Sequence, residues 1–253
     1  MTKKKDSKTT STSGAVQLQP TSFTEINRIH RQALSARRGS LVITSALGGE
    51  GVSTFAHIMA LRSADNGQRT LLVDLNLRNG SLSESFNADR KIWGLAGREL
   101  NEPLTDLIEP VEGVPNLSFM AAPRDDESVQ FLRDVQRAKY FLTNLEHQFD
   151  QVVIDTTPVG ALNRQNIDPV LLSAAASRAV VVFMAGVTPK DKIHRCVRQL
   201  EEAGATIEGL LVNDYRNPTL QEELLKFADS LKRLSPGLGD WMRQKVLRST
   251  FLS

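Results

Sequence analysis

Short, almost unbroken apolar runs alternate along the chain with longer stretches in which apolar residues return at helical spacing. The runs "SLVITSA" (40–46), "RTLLVDLNLR" (69–78), "LSFMAAP" (117–123), "DQVVIDTTP" (150–158), "AVVVFMAG" (179–186) and "IEGLLVN" (207–213) predict strands. Helices are predicted over "STFAHIMALRSADNG" (53–67), closed by Gly67, over "SVQFLRDVQRAKYFLTNLEHQF" (128–149) and over "PKDKIHRCVRQLEEAG" (189–204). The segment "LQEELLKFADSLKRL" (220–234) also reads as helical. Runs of Val, Ile and Leu without polar alternation mean strands buried on both faces. The expected fold class is therefore α/β: three layers, with a mostly parallel central sheet and helices on both faces. Ligands of such sheets bind beyond the carboxyl ends of the strands.

Three candidate elements fall at those ends. The first is "SALGGEGVST", with Gly48, Gly49, Glu50, Gly51, Val52, Ser53 and Thr54 between a strand and a helix. Glycines let successive backbone N–H groups turn toward a phosphate at a helix N-terminus, and a hydroxyl at Ser53 would reach magnesium. A phosphate-binding loop reads G-x-x-x-x-G-K-[ST], and Val52 stands where the lysine belongs. The second element is "DLNLRNG", in which Asp74 leaves a strand and Asn76 and Arg78 follow at alternate positions. The third is Asp155 at the end of "QVVID", where a carboxylate can hold magnesium.

Composition narrows the field. The chain has 253 residues, 40% of them apolar or aromatic, enough for one domain and its core. A net charge of +2 is too balanced to argue for nucleic acid. The single cysteine, Cys196, excludes an internal disulfide framework and fits a reducing compartment. His30, His57, His147 and His194 have no metal-ligand spacing. No apolar run approaches a membrane span, and the basic start has no apolar stretch behind it, so a cytoplasmic protein is expected. Residues 1–20, rich in Lys, Ser and Thr, are expected to be a disordered basic tail, its lysines keeping it solvated or touching anionic lipid. Residues 21–253 are expected to form one domain, with a contact helix at 21–38 and C-terminal helices at 220–253.

With these motifs in this order, the sequence resembles the P-loop ATPases of the MinD/ParA type. Within them it resembles the bacterial tyrosine kinases of capsule and exopolysaccharide systems, over about residues 22 to 220. That family reads roughly P-G-E-G-K-S-T at the loop, then D-x-D-x-R-x-P, then I-I-D-x-P-P. Ahead of the loop, "EINRIHR" matches its E-x-x-R-x-x-R pattern as Glu25, Arg28 and Arg31. The resemblance implies a P-loop NTPase fold, ATP/ADP and magnesium as cofactors, and Asp74, Asn76 and Asp155 at the catalytic positions. It implies magnesium near Ser53 and Asp155, and places Asn213 at the base-binding edge. Glu25, Arg28 and Arg31 would join subunits of a homo-oligomer. An inner-membrane polysaccharide co-polymerase is the implied partner, which would hold the chain peripheral to the membrane. No nucleic-acid partner is expected.

The departures from the pattern shape the functional expectation. Val52 removes the phosphate-clamping cation, and Leu47 removes the alternative lysine of partition-type relatives. Asn76 has no charge for magnesium and cannot act as base toward a tyrosine hydroxyl. The C-terminal tyrosine cluster is missing; the tyrosines are Tyr140 and Tyr215. Arg78, Arg164 and Lys190 are candidate replacement cations, and the sequence selects none of them. The expectation is a catalytically degenerate regulator or scaffold of polysaccharide biosynthesis and export. Two alternatives stand beside it: an active ATP-dependent tyrosine autokinase or ATPase with an atypical loop, and a ParA/MinD-like positioning protein.

Overall fold

The computed structural model describes residues 24–33, 38–78, 80–99, 102–161, 163 and 165–214. The basic tail, the C-terminal helices, Arg164 and Tyr215 lie outside the described residues. In chain order the elements are α1 (Thr24–Ala33), β1 (Gly39–Ser45), α2 (Val52–Asp65), β2 (Thr70–Leu75), α3 (Ser81–Ser85), β3 (Ile108–Pro110), β4 (Leu117–Met120), α4 (Asp126–Phe131), α5 (Val135–Gln148), β5 (Gln151–Thr156), α6 (Pro169–Ala175), β6 (Arg178–Met184), α7 (Lys190–Glu202) and β7 (Ile207–Asn213). They build a seven-stranded sheet in the order β3-β4-β2-β5-β1-β6-β7. Every described pairing is parallel except β3 with β4.

Alternate residues of the central strands feed two cores. Leu41, Ile43, Leu72, Val153, Val180 and Val182 pack against Ala56, Met59 and Ala60 of α2 and Ala33 of α1. Val42, Leu71, Val73, Val152 and Ile154 face the other way, onto Phe141, Leu142 and Leu145 of α5 and Leu172 of α6. Burying one such Leu or Ile side chain contributes about 1.5–3 kcal/mol. The expected three-layer α/β fold, with a mostly parallel sheet, is the observed one.

Local expectations fail where polar side chains compete for backbone. The run 128–149 is two helices, because the Asp134 carboxylate accepts Gln136 N and Arg137 N, both at 3.0 Å, and starts α5 afresh. The run 69–78 leaves the sheet after Leu75, where the Asp74 carboxylate captures Asn76 N at 3.0 Å. Helices α3, α4 and α6 and edge strand β3 were too short for periodicity to reveal.

Candidate functional site

The glycine loop is braced from outside. Ser45 Oγ donates to Leu47 O at 2.8 Å. The buried Glu50 has both carboxylate oxygens engaged: one accepts Leu47 N at 2.8 Å, the other the hydroxyl of Thr188. Thr188 Oγ1 in turn accepts Met184 N at 2.9 Å, tying the loop to the end of β6. Asn213, at the end of β7, donates its Nδ2 to Glu50 O at 2.9 Å. Gly51 has φ +97°, and a Cβ there would lie 2.6 Å from Asn213 Nδ2, so conformation and space both require glycine. Gly160 brings the turn after β5 against the loop: its N–H donates to Ala46 O at 3.1 Å, and a Cβ would meet that oxygen at 2.6 Å. Among the described residues other than their chain neighbours, nothing lies within 4 Å of where a Cβ would project from Gly48 or Gly49.

Strand order places the two acids side by side. β5 lies between β1 and β2, so Asp74 and Asp155 are register partners, both fully buried. Both Asp74 oxygens are committed: Oδ1 accepts Asn76 N at 3.0 Å, and Oδ2 accepts Ser83 N at 3.1 Å and Ser83 Oγ at 2.7 Å. Ser53 Oγ donates to Asp155 Oδ2 at 2.6 Å and accepts from Ser81 Oγ at 3.1 Å. Burial, reinforced by the charge of Asp74, pushes the Asp155 carboxyl up to about 8, against the pull of Ser53. Burial likewise raises Asp74 above the ordinary carboxylate range. Asp155 Oδ1 and Asn76 Oδ1 are buried without a hydrogen-bond partner among the described residues.

In front of these groups lies a cavity of about 530 Å³, lined by residues 48–54 together with Ser45, Asn76, Arg78, Thr156 and Pro158. That volume is within the range of small-molecule sites. Val52 begins α2 and is itself mostly core, packed in the cluster of Ile43 and Ala56. Of the candidate replacement cations that are described, Arg78 lines the cavity and Lys190 does not. Asp74, Asp155 and Asn213 are not part of the lining. The glycine cradle fits the phosphates of a nucleotide. The magnesium side fits only in part: Ser53 and Asp155 are the residues that would hold the ion, and the third position is the uncharged Asn76.

Glu25, Arg28 and Arg31 all fall on α1, outside the sheet. Arg28 and Arg31 are exposed; the side chain of Glu25 is not described. The opposite face docks on the body. His30 and Ala33 are buried, and Ile29 packs against the core under α2. His30 Nε2 pairs with Ser63 Oγ at 2.9 Å, and Arg178, 5% exposed, donates to Ala33 O at 2.8 Å. Burial and the nearby Arg62 charge lower His30 to about 4, so it docks as the neutral imidazole.

Sequence reasoning missed Ser81, Ser83, Thr188 and Gly160. Ser81 and Ser83 follow Gly80 in "NGSLSES", a helix-start signal too short to stand out. Thr188 precedes Pro189 at the head of α7, a cap-like position. Among the described residues no group of three or more His, Cys, Asp or Glu could hold a metal ion, and no helix is long and apolar enough to cross a membrane. Cys196 is buried, and burial pushes its thiol up to about 12, which removes it as a nucleophile.

Comparison with known proteins agrees with this geometry. The family model for "Cellulose biosynthesis protein BcsQ" matches residues 39–238. The tyrosine-protein kinase CpsD of Streptococcus agalactiae is 29% identical over 174 residues, 68% of this chain and 74% of that protein. The kinase domain of the Escherichia coli tyrosine kinase ETK superposes with a TM-score of 0.63 at 22% identity, covering 76% of this chain and 74% of that one. The septum site-determining protein MinD of Pyrococcus horikoshii, complexed with Mg-ADP, gives 0.56 at 20% identity, with 71% of each chain covered. These last two likenesses speak for the fold. The chain belongs to the cellulose biosynthesis protein BcsQ family, a P-loop ATPase fold related to the bacterial tyrosine kinases.

Proposed function

We propose that this protein is a catalytically degenerate P-loop protein that serves exopolysaccharide biosynthesis and export as a regulator or scaffold. The family description makes cellulose the polysaccharide to test first. Its partner is an inner-membrane polysaccharide co-polymerase, which would hold it peripheral to the membrane, and it works as a homo-oligomer. The observation that carries this reading is the loss of opposite charges in one cavity: Val52 where the fold's enzymes carry a lysine, and Asn76 where the tyrosine kinases carry an aspartate. Losing one electrostatic stabiliser costs on the order of 100–1000-fold in rate. The remaining acid at that strand end, Asp74, has both oxygens bound by Ser83 and Asn76, so it is not available as a base. Fold, loop and the exposed arginines of α1 need none of the lost groups.

Arg78 in the cavity favours a second reading, an active enzyme with a substituted cation. Complementation of a deletion strain, scored by surface polysaccharide, separates the two. Asp155→Asn is expected to restore output to near wild type. A variant that is folded, abundant and as defective as the deletion would mean that the site is chemically active, and would overturn the scaffold reading.

A further inference from the structure

We propose that residues 220–234, a segment outside the described residues, fold back as a helix onto the uncovered face of edge strand β7, alongside α7 and running in the same direction. This docking goes beyond the scaffold reading and does not depend on it.

Register defines the uncovered face. β7 ends the sheet, next to β6. Leu210 is the register partner of Val181, and Val212 of Phe183, so the four side chains share one side of the sheet. Val181 packs there against Cys196 and Leu200 of α7. Toward the carboxyl end of β7 that cover runs out. Leu210 is 47% exposed and Val212 56%, and Phe183 is only half-buried. Leu211, on the opposite side, packs against the core beneath α1 and α2. Parallel strands are ordinarily covered by helices on both faces, so the apolar pair marks a missing cover.

Three observations name the occupant. The first is pattern. Leu220, Leu224, Phe227, Leu231 and Leu234 recur at spacings of four, three, four and three residues, which makes one apolar stripe on a helix. "TLQE" (219–222) reads as a capping box at its start, and "SPG" (235–237) as its stop. The second is reach. Residues 214–219 join the segment to Asn213 at the carboxyl end of β7, and six residues span at most about 20 Å. A helix over 220–234 is about 22 Å long, and the seven residues of β7 about 23 Å. The segment therefore starts where the uncovered face lies and can run back along the whole strand. So short a tether gives an effective concentration on the order of millimolar, which favours the chain's own segment over a second copy.

The third observation is charge. α7 also starts at the carboxyl end of the sheet, after β6, and runs back. Its exposed start carries Lys190 and Lys192, flanking Asp191, and its exposed end carries Glu201 and Glu202. The segment has the reverse order, with Glu222 and Glu223 at its start and Lys232 and Arg233 at its end. Laid beside α7 in the same direction, each end meets opposite charge. Laid the other way, each end would meet like charge.

The test is oxidative cross-linking of paired cysteines in the full chain, read on non-reducing gels and by peptide mass. Val212→Cys is combined in turn with Leu220→Cys, with Leu224→Cys and with Glu222→Cys, which lies on the helix face opposite the stripe. Cys196 is buried and stays out of the reaction. At least one stripe pair should close within the monomer tenfold or more faster than the Glu222 pair. Adding Lys190→Glu with Lys192→Glu should slow that closure about fivefold, and Glu222→Lys with Glu223→Lys on top should restore it. All of the described positions substituted are exposed, so the variants keep the fold, which circular dichroism verifies. No closure by any pair in a folded protein, equal rates for stripe and outer-face pairs, or disulfide-linked dimers in place of closed monomers would each overturn the docking, the dimers by giving the face to a second copy. Charge reversal at 190 and 192 without effect on the rate would overturn the placement beside α7.

Discussion

Two substitutions decide what the site can do. The pair at 52 and 76 lacks both the cation and the anion of the kinase pattern, so the cavity keeps the charge balance of that pattern while, on the proposed reading, it gives up the chemistry. Val52 has become part of the core, which explains why the helix start tolerates it. Restoring Val52→Lys alone is therefore expected to give no tyrosine autophosphorylation. The new ammonium would clamp phosphate, yet Asn76 cannot take a proton and Asp74 is held by Ser83. Incubation with labelled ATP and phosphotyrosine detection checks this; a labelled tyrosine in the single variant would show that a base exists elsewhere. Much of this was legible in the sequence, because loop residues are local and their spacing is diagnostic. The commitment of Asp74 was not, since its partner Ser83 comes from a five-residue helix with no pattern of its own. Nor was the brace on Glu50, whose partner Thr188 lies 138 residues away.

At the scale of elements, α1 packs on the body through one face. His30 against Ser63, Arg178 against the terminal carbonyl at Ala33, and Ile29 on the core fasten it to α2 and the sheet. The imidazole of His30 titrates near 6.5 when free and at about 4 when docked, because burial and Arg62 both oppose its charge. The unfolded or undocked state thus binds more protons between those values. Docking is at full strength above pH 6.5 and is lost progressively as the pH falls toward 4. A shift of this size corresponds to about 3 kcal/mol at full effect; partial screening by solvent leaves about 1–2 kcal/mol. The thermal midpoint should fall more between pH 7 and 4.5 in wild type than in His30→Gln, an uncharged side chain that retains a polar end for Ser63. Equal falls in both proteins would remove His30 from the account. The sequence pattern marked Arg28 and Arg31 on this segment but gave no role to His30, because a lone histidine carries no spacing signal. Long helices such as α2 and α7 were legible from periodicity, whereas the break at Asp134 needed a cap that periodicity ignores.

At the scale of the molecule, a mostly parallel sheet with β5 inserted between β1 and β2 brings the loop and both acids to one edge. The alternation of apolar runs and helices disclosed that architecture. It could not disclose strand order, since pairing between β1 and β5 joins residues more than a hundred positions apart. One consequence concerns assembly. The α1 face carrying Arg28 and Arg31 is exposed, while the cavity opens at the carboxyl ends of the strands. Contacts through these arginines can therefore be altered without touching the phosphate loop. Reversing both charges, Arg28→Glu with Arg31→Glu, places like charges wherever an acidic partner surface sits. Loss of charge-paired contacts costs affinity on the order of tenfold or more when the pair is desolvated. On the proposed homo-oligomer and co-polymerase partnership, sedimentation of the double variant should shift to smaller species or its co-purification with the proposed partner should fall, with the melting midpoint within about 2 °C of wild type. An unaltered sedimentation profile together with unaltered partner capture would exclude this face as the contact.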